Sequence, residues 1–406
     1  MESINIAGAS CLSPREHRLA TVLRGLRDCL FAHGYTTEQV RRRLSFTYPD
    51  EVDAVRRVLL LEREASKDDL LAVLVQLFWL EAPVAASSVR RAFGPRLFSE
   101  ACEVGLLVRR GNAVHARLRA EPVQGSLLWA DCRFTPQRGS PRGLPPAGTV
   151  YPPSSDSLLL AEVLLLPPGG RVLDLCTGSG VLALCAAASA AEVEAVDVLP
   201  RAVLLARLNA LANGVQHIAV YQGDLYAPAG KRRFTAIVAN PPFVSSPYAD
   251  APTYHSGGVR GDRVLARIVR GWHRHLEPGG RAFAISHVGL RAGEALADRA
   301  RQWLKNFPGR ALVVELARGS AVELAAAQAS FALRQGLDAY ARETHLWVRF
   351  LRRNRIQEIV AFLLLGEATG TPALEVVSAV PRVLPLPLSK TAAQLVAEWW
   401  RVTGTA

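Results

Sequence analysis

The chain has 406 residues, half of them hydrophobic, and a formal net charge of +12 carried almost wholly by arginine, since Lys67, Lys231, Lys305 and Lys390 are its only lysines. That length accommodates two domains, and the hydrophobicity excludes a disordered chain. Aromatic residues are only 7% of the sequence, and the abundance of Ala and Leu favours helices packed on a sheet over an all-β sandwich. Arginine grips phosphate and carboxylate in bidentate fashion. The charge therefore suggests an anionic partner, or a solvated arginine-rich surface, since no basic run is tighter than Arg41-Arg42-Arg43. The cysteines (Cys11, Cys29, Cys102, Cys132, Cys176 and Cys185) form no Cys-x-x-Cys pair. With no zinc-like His spacing either, free thiols in a reducing compartment and no metal are expected. Met1–Ser13 lacks a basic segment followed by an apolar one, and the longest apolar run, near Leu70–Leu80, is too short for a bilayer. The expectation is a cytoplasmic protein without membrane contact.

From Arg15 to Leu118 the pattern is mainly helical. Leu19, Leu23, Leu26 and Leu30 recur at helical spacing. Asp68-Asp69 should open a second helix through Leu70, Val73, Leu74, Leu77 and Leu80, ended by Pro83. Short helices over Ser87–Phe93 and Arg96–Val104 follow. The turn Arg110-Gly111-Asn112 between Leu106–Val108 and Val114–Leu118 then signals a β-hairpin. Three helices and a hairpin are the winged-helix order, a module that binds nucleic acid or protein or serves only for packing. Residues 1–135 are thus expected to form a helical, winged-helix-like domain, and the Pro-, Gly- and Ser-rich stretch 136–150 a linker. Residues 151–406 alternate strand and helix, with strands expected at Arg171–Leu175, Glu192–Asp197, Ile218–Gln222, Thr235–Ala239 and Arg281–Ser286. This is an α/β pattern, a Rossmann-like parallel sheet with helices on both faces. The tail adds a helix over Leu337–Arg353 and strand-like runs Ile359–Leu365 and Leu374–Val380, which are expected to complete the sheet.

Within the second domain, the strand Val172-Leu173-Asp174-Leu175 runs into the turn Cys176-Thr177-Gly178-Ser179-Gly180 and a small-residue helix. Glycines there let a ligand approach the backbone at the carboxyl end of a strand. A second strand ends in Asp197, about 20 residues on, the spacing at which an acid reaches ribose hydroxyls. Asp224 follows the third strand. A nicotinamide site would want a third glycine, where this chain has Ala183, and would not carry an acid at Asp174. The combination resembles motif I of class I methyltransferases. By that resemblance Asp174, Thr177, Gly178 and Gly180 border S-adenosylmethionine, Asp197 holds its ribose, and Asp224 and Leu225 flank its adenine.

The fourth strand should end in Asn240-Pro241-Pro242-Phe243. Two prolines have no N–H and fix φ, so this turn is rigid and its carbonyls are free to accept. The Asn240 side-chain oxygen and a neighbouring carbonyl can then take both hydrogens of an NH₂ group and aim the nitrogen lone pair at a methyl donor, while Phe243 offers a flat face for stacking. Such catalysis is mainly orientation and needs no strong base. The motif resembles the Asn-Pro-Pro-(Tyr/Phe) signature of enzymes that methylate exocyclic amines of nucleobases or the side-chain amide of glutamine in release factors; the glutamine enzymes carry Tyr where this chain has Phe243. Tyr151-Pro152-Pro153-Ser154-Ser155-Asp156-Ser157 is similar to the segment those enzymes place before motif I, which would bring Asp156 and Ser157 to the cofactor. Ser256-Gly257-Gly258-Val259-Arg260-Gly261-Asp262 looks like the Ser-Gly-Gly-x-x-Gly-Asp loop of two-part bacterial methyltransferases with a small-methyltransferase domain.

In that loop Tyr248, Tyr254, His255 and Arg260 are candidate acceptor contacts, and Asp262 should cap the helix beginning at Arg263. The resulting expectation is N-methylation of a planar nitrogen, in a nucleobase of RNA or DNA or in a protein glutamine. The alternative is methylation of a small molecule at a carboxylate, hydroxyl or amine in specialised metabolism. Both require the tips of the first and fourth strands to meet.

Overall fold

The computed structural model describes residues 13–67, 69–134, 148–248, 257–379 and 388–403. Most of the expected linker therefore lies outside the described residues, as do Asp68 and Val380. Helix α1 (Pro14–Ala32) starts with a reciprocal Ser13/Glu16 cap and buries Leu23, Leu26 and Leu30. Helices α2 (Thr37–Leu44), α3 (Ala54–Ala65) and α4 (Leu70–Leu74) follow. The Asp69 carboxylate caps the last of these by accepting from the Ala72 N–H at 2.8 Å. A short strand β1 (Val84–Ala85) leads into α5 (Ala86–Glu103), which is interrupted at Gly94-Pro95, where the sequence predicts two helices. The hairpin is present as β2 (Leu107–Arg110) and β3 (Ala113–Ala116), and β1 joins it in the order β1-β3-β2.

A second hairpin, β4 (Leu118–Val123) and β5 (Ser126–Asp131), was not expected. It lies against the α/β part of the chain that follows. Asn209 is fully buried; its side chain accepts from the Trp129 N–H at 2.8 Å and donates to the Trp129 carbonyl at 2.9 Å. Asn213 makes the same pair of bonds to Leu127, and Arg201 pairs with Asp131. Ala202, Leu205, Leu208 and Ala212 belong to the apolar core of the N-terminal helices, so the two parts share a core.

The second part contains α6 (Ser155–Glu162), β6 (Arg171–Leu175), α7 (Val181–Ala187), β7 (Glu192–Asp197), α8 (Pro200–Ala212), β8 (Ile218–Gln222) and β9 (Phe234–Ala239). It continues with α9 (Arg263–His275), β10 (Leu276–Arg291), α10 (Leu296–Leu304), β11 (Arg310–Ser320), α11 (Ala321–Ala329) and α12 (Leu337–Arg353). The last elements are β12 (Ile356–Glu367), β13 (Ala373–Ser378) and α13 (Leu388–Thr403). Eight strands form one sheet in the order β13-β11-β12-β10-β9-β6-β7-β8. The first five strands are where the sequence places them and run parallel, but β12 is antiparallel to both β10 and β11, so the sheet is mixed. Residues of α6, α7 and α13 pack on one face, and residues of α9 and α10 on the other. This is a Rossmann-like α/β sheet with helices on both faces. No helix among the described residues is long and apolar enough to cross a membrane.

Candidate functional site

The carboxyl ends of β6 and β9 lie side by side, with Leu175 paired to Ala239, so the two motifs leave adjacent strand tips. At the first tip Cys176, Gly178 and Gly180 all have positive φ (60°, 56° and 88°), which folds the turn back over the strand. The two glycines have different reasons to be there. A Cβ on Gly178 would meet nothing within 4 Å, whereas one on Gly180 would stand 3.2 Å from the Ala206 Cβ of α8. Gly178 therefore faces open space where a ligand can approach, and Gly180 lets α8 pack against the turn. Asn209 of α8 also donates to the Ser179 carbonyl at 2.8 Å.

Asp197 stands at the tip of β7 and accepts from the Gly178 N–H and the Leu199 N–H, each at 2.9 Å. Burial pushes its pKa up, and the backbone donors oppose that. Asp174 and Thr177 sit beneath the turn, 0% and 4% exposed, with the Thr177 hydroxyl donating to Asp174 Oδ2 at 2.6 Å. Burial raises the Asp174 carboxyl to about 7. The same burial, with Asp197, Asp174 and Asp224 adding negative charge, holds the Cys176 thiol well above its ordinary value, so it stays protonated and unreactive. Leu225 is buried with a φ of 51°. Asp224 is exposed and accepts from Arg267 of α9 at 2.7 Å.

The buried Asp174 gives a testable pH dependence. Its folded pKa lies above the unfolded 3.8, so between about pH 4 and 7 the native state holds more protons than the unfolded one. Stability therefore falls across that window, by up to about 4 kcal/mol from this group. Asp174→Asn is expected to flatten that decline and to leave the cofactor-free protein more stable than wild type at pH 8. Urea unfolding of both proteins at pH 5, 6, 7 and 8 checks it; parallel profiles would refute the assignment.

At the second tip, Asn240-Pro241-Pro242-Phe243 leaves β9 without regular structure. Asn240 Nδ2 donates to Asp156 Oδ2 at 3.1 Å. Because a carboxylate only accepts, this bond fixes the orientation of the amide and turns Asn240 Oδ1 the other way. That oxygen is buried and has no hydrogen-bond partner among the described residues. Asp156 is held in turn, its Oδ1 accepting from the Ser157 N–H at 2.8 Å and from the Ser154 hydroxyl. The segment is clamped from the N-terminal part of the chain, where Asp50 accepts from the Ser155 N–H and hydroxyl, both at 2.7 Å. Phe243 stacks on His287 of β10 with ring centroids 4.1 Å apart and planes 27° apart. Burial lowers the His287 pKa to about 4 against the opposing charge of Asp156, so the imidazole is neutral at ordinary pH. Gly257 and Gly261 close over the backbone here. A Cβ on Gly257 would come within 2.6 Å of Phe243 Cα, and one on Gly261 within 2.3 Å of the Phe243 carbonyl oxygen.

The candidate acceptor contacts fare unevenly. Tyr254 and His255 lie outside the described residues. Tyr248 turns its hydroxyl to Glu343 of α12 and sets its ring edge-on to Trp347, which also donates to Glu343 at 3.0 Å. Arg260 is not offered to an acceptor. It donates to the Gly289 carbonyl at 2.9 Å and pairs with Glu294, tying its loop to the end of β10. Asp262 precedes α9 but makes no side-chain cap; its carboxylate is taken by Arg299 and by the Trp303 indole N–H at 2.9 Å. That buried pairing outcompetes the exposed helix end. Sequence reasoning missed Asp50, Asn209, His287 and Glu343. Only His287 carried a usable signal, its place near the carboxyl end of a sheet strand next to β9.

Comparison with known proteins agrees with this architecture. The family model for the methyltransferase small domain matches residues 154–305, and one for a domain of unknown function, DUF7059, matches residues 32–117. The ribosomal protein uL3 glutamine methyltransferase of Bradyrhizobium diazoefficiens is 38% identical over 142 residues, 32% of this chain and 43% of that one. The release factor glutamine methyltransferase of Escherichia coli is 32% identical over 127 residues, 30% of this chain and 45% of that one. The chain thus spans less than half the length of these two relatives. A Methanocaldococcus jannaschii protein carrying the name of a protein N5-glutamine methyltransferase is 32% identical over 137 residues, 32% of this chain and 68% of that one. With the two strand tips joined and a relative of this identity matched over more than two thirds of its length, the chain belongs to the methyltransferase small domain family.

Proposed function

We propose that this protein transfers the methyl group of S-adenosylmethionine to the side-chain amide nitrogen of a glutamine in a protein of the translation machinery. The observation that carries the reading is Asn240, whose Nδ2 is committed to Asp156 while its buried Oδ1 has no hydrogen-bond partner among the described residues. An unmatched buried acceptor costs stability, and an incoming NH₂ group satisfies it. The carbonyls of the Asn240-Pro241-Pro242 turn supply a second acceptor, so both amide hydrogens are held and the nitrogen lone pair is directed across to the β6 tip. Phe243, backed by the neutral His287 ring, forms a flat wall for the amide plane. S-adenosylmethionine supplies the electrophilic methyl. The residues present fit it: Gly178 leaves open space beside the turn, Asp197 rims that space for the ribose, and Asp224 and Leu225 border the adenine side. The acceptor nitrogen gains the methyl and releases one proton, and orientation does most of the catalytic work. The relatives, named for uL3, release factor and protein N5-glutamine activity, support a protein glutamine over a nucleobase or a small molecule.

The test uses methyl-labelled S-adenosylmethionine with purified uL3, release factor, total RNA and a metabolite extract from the same source. Label is expected on a protein glutamine, located by peptide mass spectrometry. Label confined to RNA or to metabolites overturns the reading.

A further inference from the structure

We infer that the outer face of α12 is a docking surface for RNA phosphates, which brings an RNA-bound protein acceptor to the Asn240 cradle. Arg342, His345, Arg349, Arg352 and Arg353 are all exposed, and their spacing puts them along one face of the helix. Among the described residues none of these four arginines has an ion-pair partner. Helix arginines elsewhere that do find a carboxylate are Arg42 with Glu38, Arg96 with Glu100 and Arg301 with Asp298, whereas α9 carries Arg263, Arg270 and Arg274 without an ion pair among the described residues. The one acid on the same line, Asp338, stands in the first turn and is not paired with Arg342. Glu343 is turned to the opposite side, where it holds Tyr248 and Trp347. The helix dipole accounts for cations in the last turn, Arg352 and Arg353, but not for Arg342 or Arg349 further up the helix.

Arg349 stands one turn from Arg352 and Arg353, where like charges oppose helix formation, so this end of the row gains from an external anion. Arg342, Arg349 and Arg353 stand about 10.5 Å and about 6 Å apart along the axis, presenting guanidinium forks in series that suit the repeated charges of a nucleic acid backbone. Location adds to this. The inner face of α12 packs on Val244 and Tyr248, so the helix that carries the stripe on its outer face borders the loop that leaves Phe243. The choice of RNA over another polyanion rests on the proposed acceptor being a protein of the translation machinery.

The experiment is independent of methyl transfer. Binding of a fluorescein-labelled 20-nucleotide single-stranded RNA to the full chain is followed by anisotropy at several salt concentrations, beside the quadruple variant R342Q/R349Q/R352Q/R353Q and a labelled polyglutamate of equal charge. Wild type is expected to bind RNA with a steep salt dependence. The variant should lose about 3 from the slope of log K against log salt, at roughly 0.7 per phosphate contact, and at least about tenfold in affinity, while cofactor binding by calorimetry stays at the wild-type value. An unchanged slope in the variant, or tighter binding of polyglutamate than of RNA, overturns the inference. Because no methylation is read, a failed acceptor assignment leaves this result standing on its own.

Discussion

Asn240→Ala is expected to lower kcat by at least about 10²-fold while the dissociation constant for S-adenosylmethionine changes less than about twofold. The substitution removes a buried oxygen that has no hydrogen-bond partner among the described residues and leaves the β6 tip untouched, because the Asn240 side chain bonds there to Asp156 across the cradle. An acceptor amide that loses one of its two anchors can rotate about the other, and its lone pair no longer points along a fixed line. Asn240→Asp should be no better despite its similar shape. It replaces the N–H that reaches Asp156 at 3.1 Å with a second carboxylate oxygen, and the two acids repel. Single-turnover transfer and isothermal titration with the cofactor, run on the same preparations, separate the two quantities. A parallel loss of transfer and of cofactor affinity would remove Asn240 from the acceptor.

Asp197→Ala is expected to produce the converse pattern, a cofactor affinity lower by about 1–3 kcal/mol, or roughly 5- to 150-fold, with a smaller change in saturated turnover. The carboxylate ties together two backbone segments, the Gly178 N–H in the turn and the Leu199 N–H at the start of α8. Its loss therefore removes a partner for the ribose hydroxyls and also loosens the open side of the turn. Asp197→Asn should fall between the two, since its one oxygen can keep one of the two backbone donors while its NH₂ meets the other. Calorimetry at fixed pH reads both variants. Wild-type affinity in Asp197→Ala would detach this residue from the ribose.

The chemistry was legible in the sequence wherever it is local. The strand into Gly178 and the strand into Asn240 each announce themselves within ten residues, and the register that brings them together follows from the parallel α/β pattern. Elements whose residues break the usual alternation escaped. All six positions of β4 are buried although Arg119 and Glu121 are charged, because the two pair with each other at 3.0 Å. β11 was missed because Arg310-Ala311-Leu312-Val313-Val314-Glu315-Leu316-Ala317 is largely built of good helix formers; pairing with β12 and β13 makes it a strand. Long-range partners escaped for a different reason. Nothing near Asp50 marks it as the acceptor for Ser155, and nothing near Glu343 marks it as the partner of Tyr248. Arg260 and Asp262 were read by their loop alone, and distant ion pairs decided both.

The Asp50 clamp makes the catalytic cradle a property of the seam between the two halves of the chain. A fragment cut at the start of the family-matched segment, residue 154, would retain Asp156, the Gly178 turn and Asn240-Pro241-Pro242-Phe243 and lose the strut that fixes the segment under Asn240. Exchanging N-terminal halves between relatives would likewise transplant the signature without its brace, so the two halves are expected to have diverged as a pair.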